Sequence, residues 1–144
     1  MDSTHWKVGT FLLYRYLMET IACDDRPIDA YLRNCASRTV IEVLANKWTC
    51  LLLGLLQDGP MRFGELMRRV DGISQKSLTQ TLRSLERDGL LTRTVYPTIP
   101  PRVDYELTDL GRSVIQFTDG LRVWAEQHVG QIRVAREQYD AVSV

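Results

Sequence analysis

The stretch GISQKSLTQTLRSLERDGLL, residues 72–91, carries Leu78, Leu82 and Leu85 at i, i+4 and i+7, a single apolar stripe with helical period. Around that stripe lie Gln75, Lys76, Ser77, Thr79, Gln80, Thr81, Arg83 and Ser84, with no acid before Glu86. An ordinary solvated helix mixes Glu with Lys in i,i+4 pairs, which favour helix and solubility. A face of amides, hydroxyls and cations without carboxylates is suited to a polyanion. Ser74 is placed to cap the helix start and Gly89 to end it.

Outward from this helix the chain reads as a series of short elements. "DGIS" (71–74) is a turn, Gly64 to Val70 a short helix, and "MRF" (61–63) a very short extended piece. Asp58-Gly59-Pro60 stops a nearly all-apolar helix, Lys47 to Gln57, expected to be the central buried one. Before it a helix from about Ile28 through Ala45 is expected, either continuous or interrupted near Asn34 and Cys35, with Asn46 ending it in the left-handed conformation. Residues 6–22 suggest a further apolar helix. After Gly89 the period changes to two. Residues 91–95 and 102–107 form two strands joined by the Pro-stiffened "YPTIPP" (96–101). Thr108-Asp109 then caps a last long helix, in which Leu110, Val114, Phe117, Leu121 and Trp124 make a coiled-coil-like seam.

The order helix, helix, short strand, helix, helix, strand, strand, helix is that of a winged helix-turn-helix, mostly α with a small β-hairpin. In that arrangement the second helix of the unit enters the major groove, its N-terminal half against base edges. The expected DNA contacts are therefore Ser74, Gln75, Lys76, Ser77, Thr79, Gln80 and Arg83 on the helix, with Arg62, Tyr96 and Arg102 nearby. A plain polar surface helix is the competing account, and the turn before it, the local charge and the stiff hairpin after it argue against that.

Composition agrees with this reading. The 144 residues have a net charge of +0, yet residues 60–103 hold eight Lys and Arg against four acids. Residues 104–144 hold four against seven, so a basic middle third precedes an acidic end. Cys23, Cys35 and Cys50 show no CxxC spacing, and neither a disulfide framework nor a zinc site is expected. Cys50 should be a buried, inert thiol. His5 and His128 are isolated, and no nucleophilic triad, paired carboxylates or phosphate-cradling glycines are found. The chain is expected to be neither an enzyme nor a binder of cofactor or metal. It has no apolar run of membrane-spanning length and is expected in a reducing cytoplasm, at the nucleoid.

The segments CASRTVIEVLANKW (35–48), LLQDGPMRFGEL (55–66), the opening stretch, YPTIPPRVDYELTDLG (96–111) and WAEQH (124–128) resemble the HxlR-type winged helix transcriptional regulators. The resemblance covers residues 35–128. It implies a prokaryotic homodimer, joined by helices from both chain ends, that binds inverted repeats near promoters. It also implies a cysteine at the start of the first family helix that senses oxidants or electrophiles, the position of Cys35. Arg33 and Arg38 and the helix start would favour its thiolate. Ala36 and Asn46 depart from the family's usual Pro and Gly, and residues 1–34 exceed its usual N-terminal length. The expected division is an N-terminal extension at the dimer interface (1–34), a DNA-binding domain (35–107) and a dimerisation helix (108–144). The expected function is a homodimeric repressor reading an inverted repeat under a thiol or small-molecule signal. The alternative is a winged helix used as a protein-interaction module, against which the lack of exposed aromatics on residues 74–84 argues.

Overall fold

The computed structural model describes residues 28–33 and 35–143; the expected helix over 6–22, with Cys23 and His5, lies outside the described residues. The chain divides into two compact units, one ending at Glu42 and one running from Val43. The described elements, in chain order, are α1 (Ala36–Leu44), α2 (Lys47–Leu56), β1 (Met61–Arg62), α3 (Phe63–Arg69), α4 (Gln75–Arg87), β2 (Leu91–Tyr96), β3 (Arg102–Leu107) and α5 (Asp109–Val142). This is the winged helix-turn-helix order, with one antiparallel sheet of order β1-β3-β2.

Two expectations at the start of this series need correcting. The helix expected from Ile28 begins only at Ala36, directly after the expected point of interruption, and the residues from Ile28 turn instead, with the Asp29 carboxylate accepting the Tyr31 N–H at 2.9 Å. Such short side-chain bonds to the backbone compete with helix. Asn46 does not close α1 in a left-handed conformation. Its backbone is extended (φ −69°, ψ 131°) and its side chain accepts the Trp48 N–H, so it opens α2 as N-cap.

The core of the second unit is leucine. Leu52, Leu53 and Leu56 of α2 cluster with Leu66 of α3, Leu78, Leu82 and Leu85 of α4, and Leu90, Leu91, Tyr105 and Leu107 around the sheet. Each fully buried leucine contributes roughly 1.5–3 kcal/mol relative to exposure. Ser74 caps α4, accepting the Ser77 N–H at 3.0 Å, and Gly89 (φ 73°) ends it. Thr108 caps α5, accepting the Gly111 N–H at 3.1 Å.

The expected α5 seam splits between two directions. Val114 packs against the core with Ile115, and Thr118 is buried. Leu110, Phe117, Leu121 and Trp124 remain exposed, Phe117 at 69%.

The approach of α5 to the end of α4 is close enough to forbid a side chain. A Cβ on Gly111 would overlap the Leu90 carbonyl oxygen. Since that oxygen belongs to the backbone, the helix itself must shift. Gly111→Ala should lower stability by about 1–3 kcal/mol, the usual cost of overpacking. In urea denaturation the midpoint should fall with an unchanged slope; an unchanged midpoint would show that α5 is not held by this contact.

Candidate nucleic-acid interface

The apolar stripe of α4 fixes which side faces out. With Leu78, Leu82 and Leu85 buried, Gln75, Lys76, Gln80 and Arg83 are exposed, and Ser77 and Thr79 are half-buried. The two serines are partly spent on structure, because the Ser74 hydroxyl donates to Ser77 Oγ at 3.0 Å. Thr81 is also engaged, donating to the Ser77 carbonyl at 2.7 Å. This leaves two amides, an ammonium and a guanidinium as the outward chemistry of the first two turns, with no acid in the first turn. Those are the groups that read base edges and phosphates, and the helix N-terminus adds its own partial positive charge.

The three residues expected beside this helix are drawn into one cluster by the sheet. Tyr96 and Arg102 face each other across the last rung of the β2–β3 ladder, and the Arg102 guanidinium lies over the Tyr96 ring, 5.1 Å from its centroid. Arg62 pairs with Asp104 across β1–β3. Asp104 joins both arginines. Its carboxylate receives Arg102 Nε at 2.8 Å and Nη2 at 2.6 Å, and Arg62 Nε stands 3.9 Å away. Sequence reasoning missed Asp104. The signal was present, because residues 102 and 104 lie on one face of a strand by its two-residue period.

The electrostatics of the cluster follow from this geometry. The hydrogen bond from Arg102 holds the Asp104 carboxyl below the usual carboxylate range, and the same bond raises Arg102. Arg62 also orders the start of α3, its backbone N–H donating to Glu65 Oε2 at 2.8 Å.

The cysteines differ from expectation at one position. Cys35 is disulfide-bonded, although the cysteine spacing alone points to no disulfide framework. Ser37 donates to its sulfur at 3.1 Å. Cys50 is buried as expected, and burial pushes its thiol up while it donates to the Leu44 carbonyl at 3.2 Å. A cleft of about 380 Å3 opens between α2, α3 and α5, lined by Leu51, Leu55 and Val70 and by Asp58, Asp71 and Asp119 together with Arg69 and Arg122. Among the described residues no group of His, Cys, Asp or Glu is placed to hold a metal, and no single helix is long and apolar enough to cross a membrane.

A helix-turn-helix whose second helix exposes no acid before Glu86, followed by an arginine-bearing wing, defines a DNA-binding transcriptional regulator. Comparison with known proteins gives the family. Residues 43–133 match the model of the HxlR-like helix-turn-helix. An HTH-type transcriptional regulator of Methanothermobacter thermautotrophicus is 45% identical over 105 residues, covering 73% of this chain and 79% of the relative. The structure of the transcriptional regulator YtfH from Salmonella typhimurium superposes with a TM-score of 0.72 at 39% identity, covering 76% of this chain and 97% of that one. The redox regulator HypR in its oxidized form is also similar, with a TM-score of 0.60 at 36% identity over 65% of this chain and 96% of that one. The chain belongs to the HxlR-like helix-turn-helix family.

The depressed Asp104 carboxyl has a pH signature. A carboxyl whose folded value lies below its unfolded one adds stability that is complete above the unfolded value, near about 3.9. That stability is lost as pH falls through the lower folded value. On acidification from neutral pH into this range, the urea midpoint of the parent should fall further than that of Asp104→Asn. Parallel falls would mean that the pair adds no pH-dependent stability.

Proposed function

We propose that the protein is a homodimeric, sequence-specific repressor that reads an inverted repeat with α4 and the β2–β3 wing. The observation that carries this is the outward face of α4, where Gln75, Lys76, Gln80 and Arg83 stand exposed and no carboxylate precedes Glu86. A protein-interaction module would offer aromatics on that face, and α4 has none. On this reading residues 35–107 bind DNA, residues 108–144 dimerise, and residues 1–34 add to the interface. The exposed stripe Leu110, Phe117, Leu121 and Trp124 supports the second subunit, because an isolated chain rarely leaves such a stripe in water.

The test is site selection from random-sequence DNA followed by binding measurements and light scattering. The parent should bind as a dimer to two half-sites about one helical turn, or a small multiple, apart. Gln75→Ala, Gln80→Ala and Arg83→Ala should each cost roughly 1–3 kcal/mol on the selected site and relax its base preference. Selection of no sequence, or a monomer on DNA, overturns the reading.

The signal favoured by the observations is thiol oxidation at Cys35. The residue is disulfide-bonded, and the similar HypR is a redox regulator. A change at this disulfide would alter operator affinity through the spacing of the two α4 helices rather than at the DNA surface. Operator binding by the parent should differ between reduced and mildly oxidised protein, while Cys35→Ser should bind alike under both. Equal responses of parent and variant would remove Cys35 as sensor and turn attention to a ligand in the cleft.

A further inference from the structure

A carboxylate at a surface that faces a polyanion needs a reason. Asp104 repels phosphate, and by charge alone its removal should tighten DNA binding. Its surroundings give the reason. It stands on the central strand of the sheet, opposite Arg62 on β1 and Thr94 on β2. Its side chain is only 10% exposed, while those of Arg62 and Arg102 are 57% and 45% exposed. The carboxylate is thus sheltered behind two guanidinia that reach solvent.

We propose that Asp104 is a positioning residue for DNA recognition, holding Arg102 of the wing and Arg62 at the entry to the helix-turn-helix as a fixed pair of phosphate-binding groups. The proposal rests on the DNA-binding reading above and deepens it.

The geometry at Arg102 carries the argument. A guanidinium has five N–H donors in a rigid fork. Two of them, on Nε and Nη2, go to the two oxygens of Asp104, which leaves three. The bidentate bond fixes one edge of the plane and the Tyr96 ring supports its face. The remaining donors therefore point away from the carboxylate. An unheld arginine loses its rotamer freedom when it docks on phosphate, whereas Arg102 has already lost it in the free protein. Arg62 is held more loosely, at 3.9 Å, but its backbone is fixed at the α3 N-terminus by Glu65. One carboxylate thereby couples the wing to the first helix of the reading unit. It gives up one unit of net charge and gains a defined geometry.

This reverses the sign that charge alone predicts, and the experiment reads that sign. Asp104→Asn keeps the size of the side chain but removes its charge and one of its two acceptors. Binding is measured over a salt series on sheared genomic DNA and on the site that the parent selects from random sequence. On sheared DNA the variant should bind as tightly as the parent or more tightly, with a log–log salt slope steeper by up to about one unit. On the selected site it should bind about tenfold more weakly, so that the specificity ratio collapses. Asp104→Glu should recover part of that ratio. On an Arg102→Gln background, Asp104→Asn should cause little further loss of specificity, because the residue through which it acts is gone. This last comparison is between folded proteins of matched thermal melting, and it decides the matter if the single variant is too unstable to assay.

A purely structural role would lower both affinities in proportion to the folded fraction, and that result overturns the proposal. So does an Asp104→Asn protein that holds the selected site as well as the parent does. If the parent itself enriches no sequence, the DNA-binding reading fails and this proposal falls with it. If the parent enriches a site that Asp104→Asn holds equally, the clamp alone fails.

Discussion

Burial of Leu78, Leu82 and Leu85 against Leu52, Leu53 and Leu56 is the constraint on which the surface depends. A helix with one narrow apolar stripe has one favourable rotation about its axis, since any other would bury Gln75, Lys76 or Arg83 and expose leucine. The rotation being set, the remaining freedom is movement along the axis. That is removed at one end by the Ser74 cap and at the other by Gly89, whose left-handed backbone turns the chain straight into Leu90 and Leu91 of the same core. The polar half of α4 is outward because its apolar half has nowhere else to go.

Charge is then distributed on this frame unevenly. The net charge of the chain is zero, but Lys and Arg outnumber acids by eight to four between residues 60 and 103. The following segment is acidic, four against seven, and most of it is α5. Helix α5 itself is nearly balanced, four Lys and Arg against five acids, so the excess positive charge of residues 60–103 is what would orient the neutral protein toward a polyanion. Asp104 belongs to the acidic segment by sequence and to the basic face by position. Its two arginine neighbours make it part of how that face is held in shape.

What was legible in the sequence was what repeats along it. The leucine period of α4, the apolar run of α2 and the two-residue period of the wing each follow from a periodicity, and all three elements lie where those periods put them. Asn46 was misjudged because asparagine both ends and begins helices. The structure decided for the beginning, since α1 and α2 are separated by only two residues and the Trp48 N–H takes the side chain as acceptor. The local bond from the Tyr31 N–H to Asp29, which helix propensity does not weigh, marks the residues that turn ahead of α1. Asp104 was overlooked because β3 was read for its apolar alternation, whereas its function-bearing alternation is one of opposite charges. The disulfide at Cys35 is not legible from an odd count of cysteines without a spacing motif.

Between the wing and α5 there is one residue, Thr108, and it ties three elements together. Its N–H donates to the Leu90 carbonyl at 3.1 Å, its hydroxyl donates to the Gly89 carbonyl at 2.6 Å, and the same oxygen accepts the Gly111 N–H. The end of α4, the end of β3 and the start of α5 are thereby joined within a few ångströms, with Gly111 pressed against the same Leu90 carbonyl. A joint so densely bonded does not bend easily. Helix α5 extends about 51 Å at the usual rise per residue, and its exposed stripe runs along the first half. That stripe is thus carried on a helix joined to both α4 and the wing. A rotation applied at α5 must reach α4 and the wing together, as a change in where the reading unit points rather than in its shape. Any displacement of α5 at this joint therefore carries the exposed Gln75, Gln80 and Arg83 of α4 along with it without changing the groups they present.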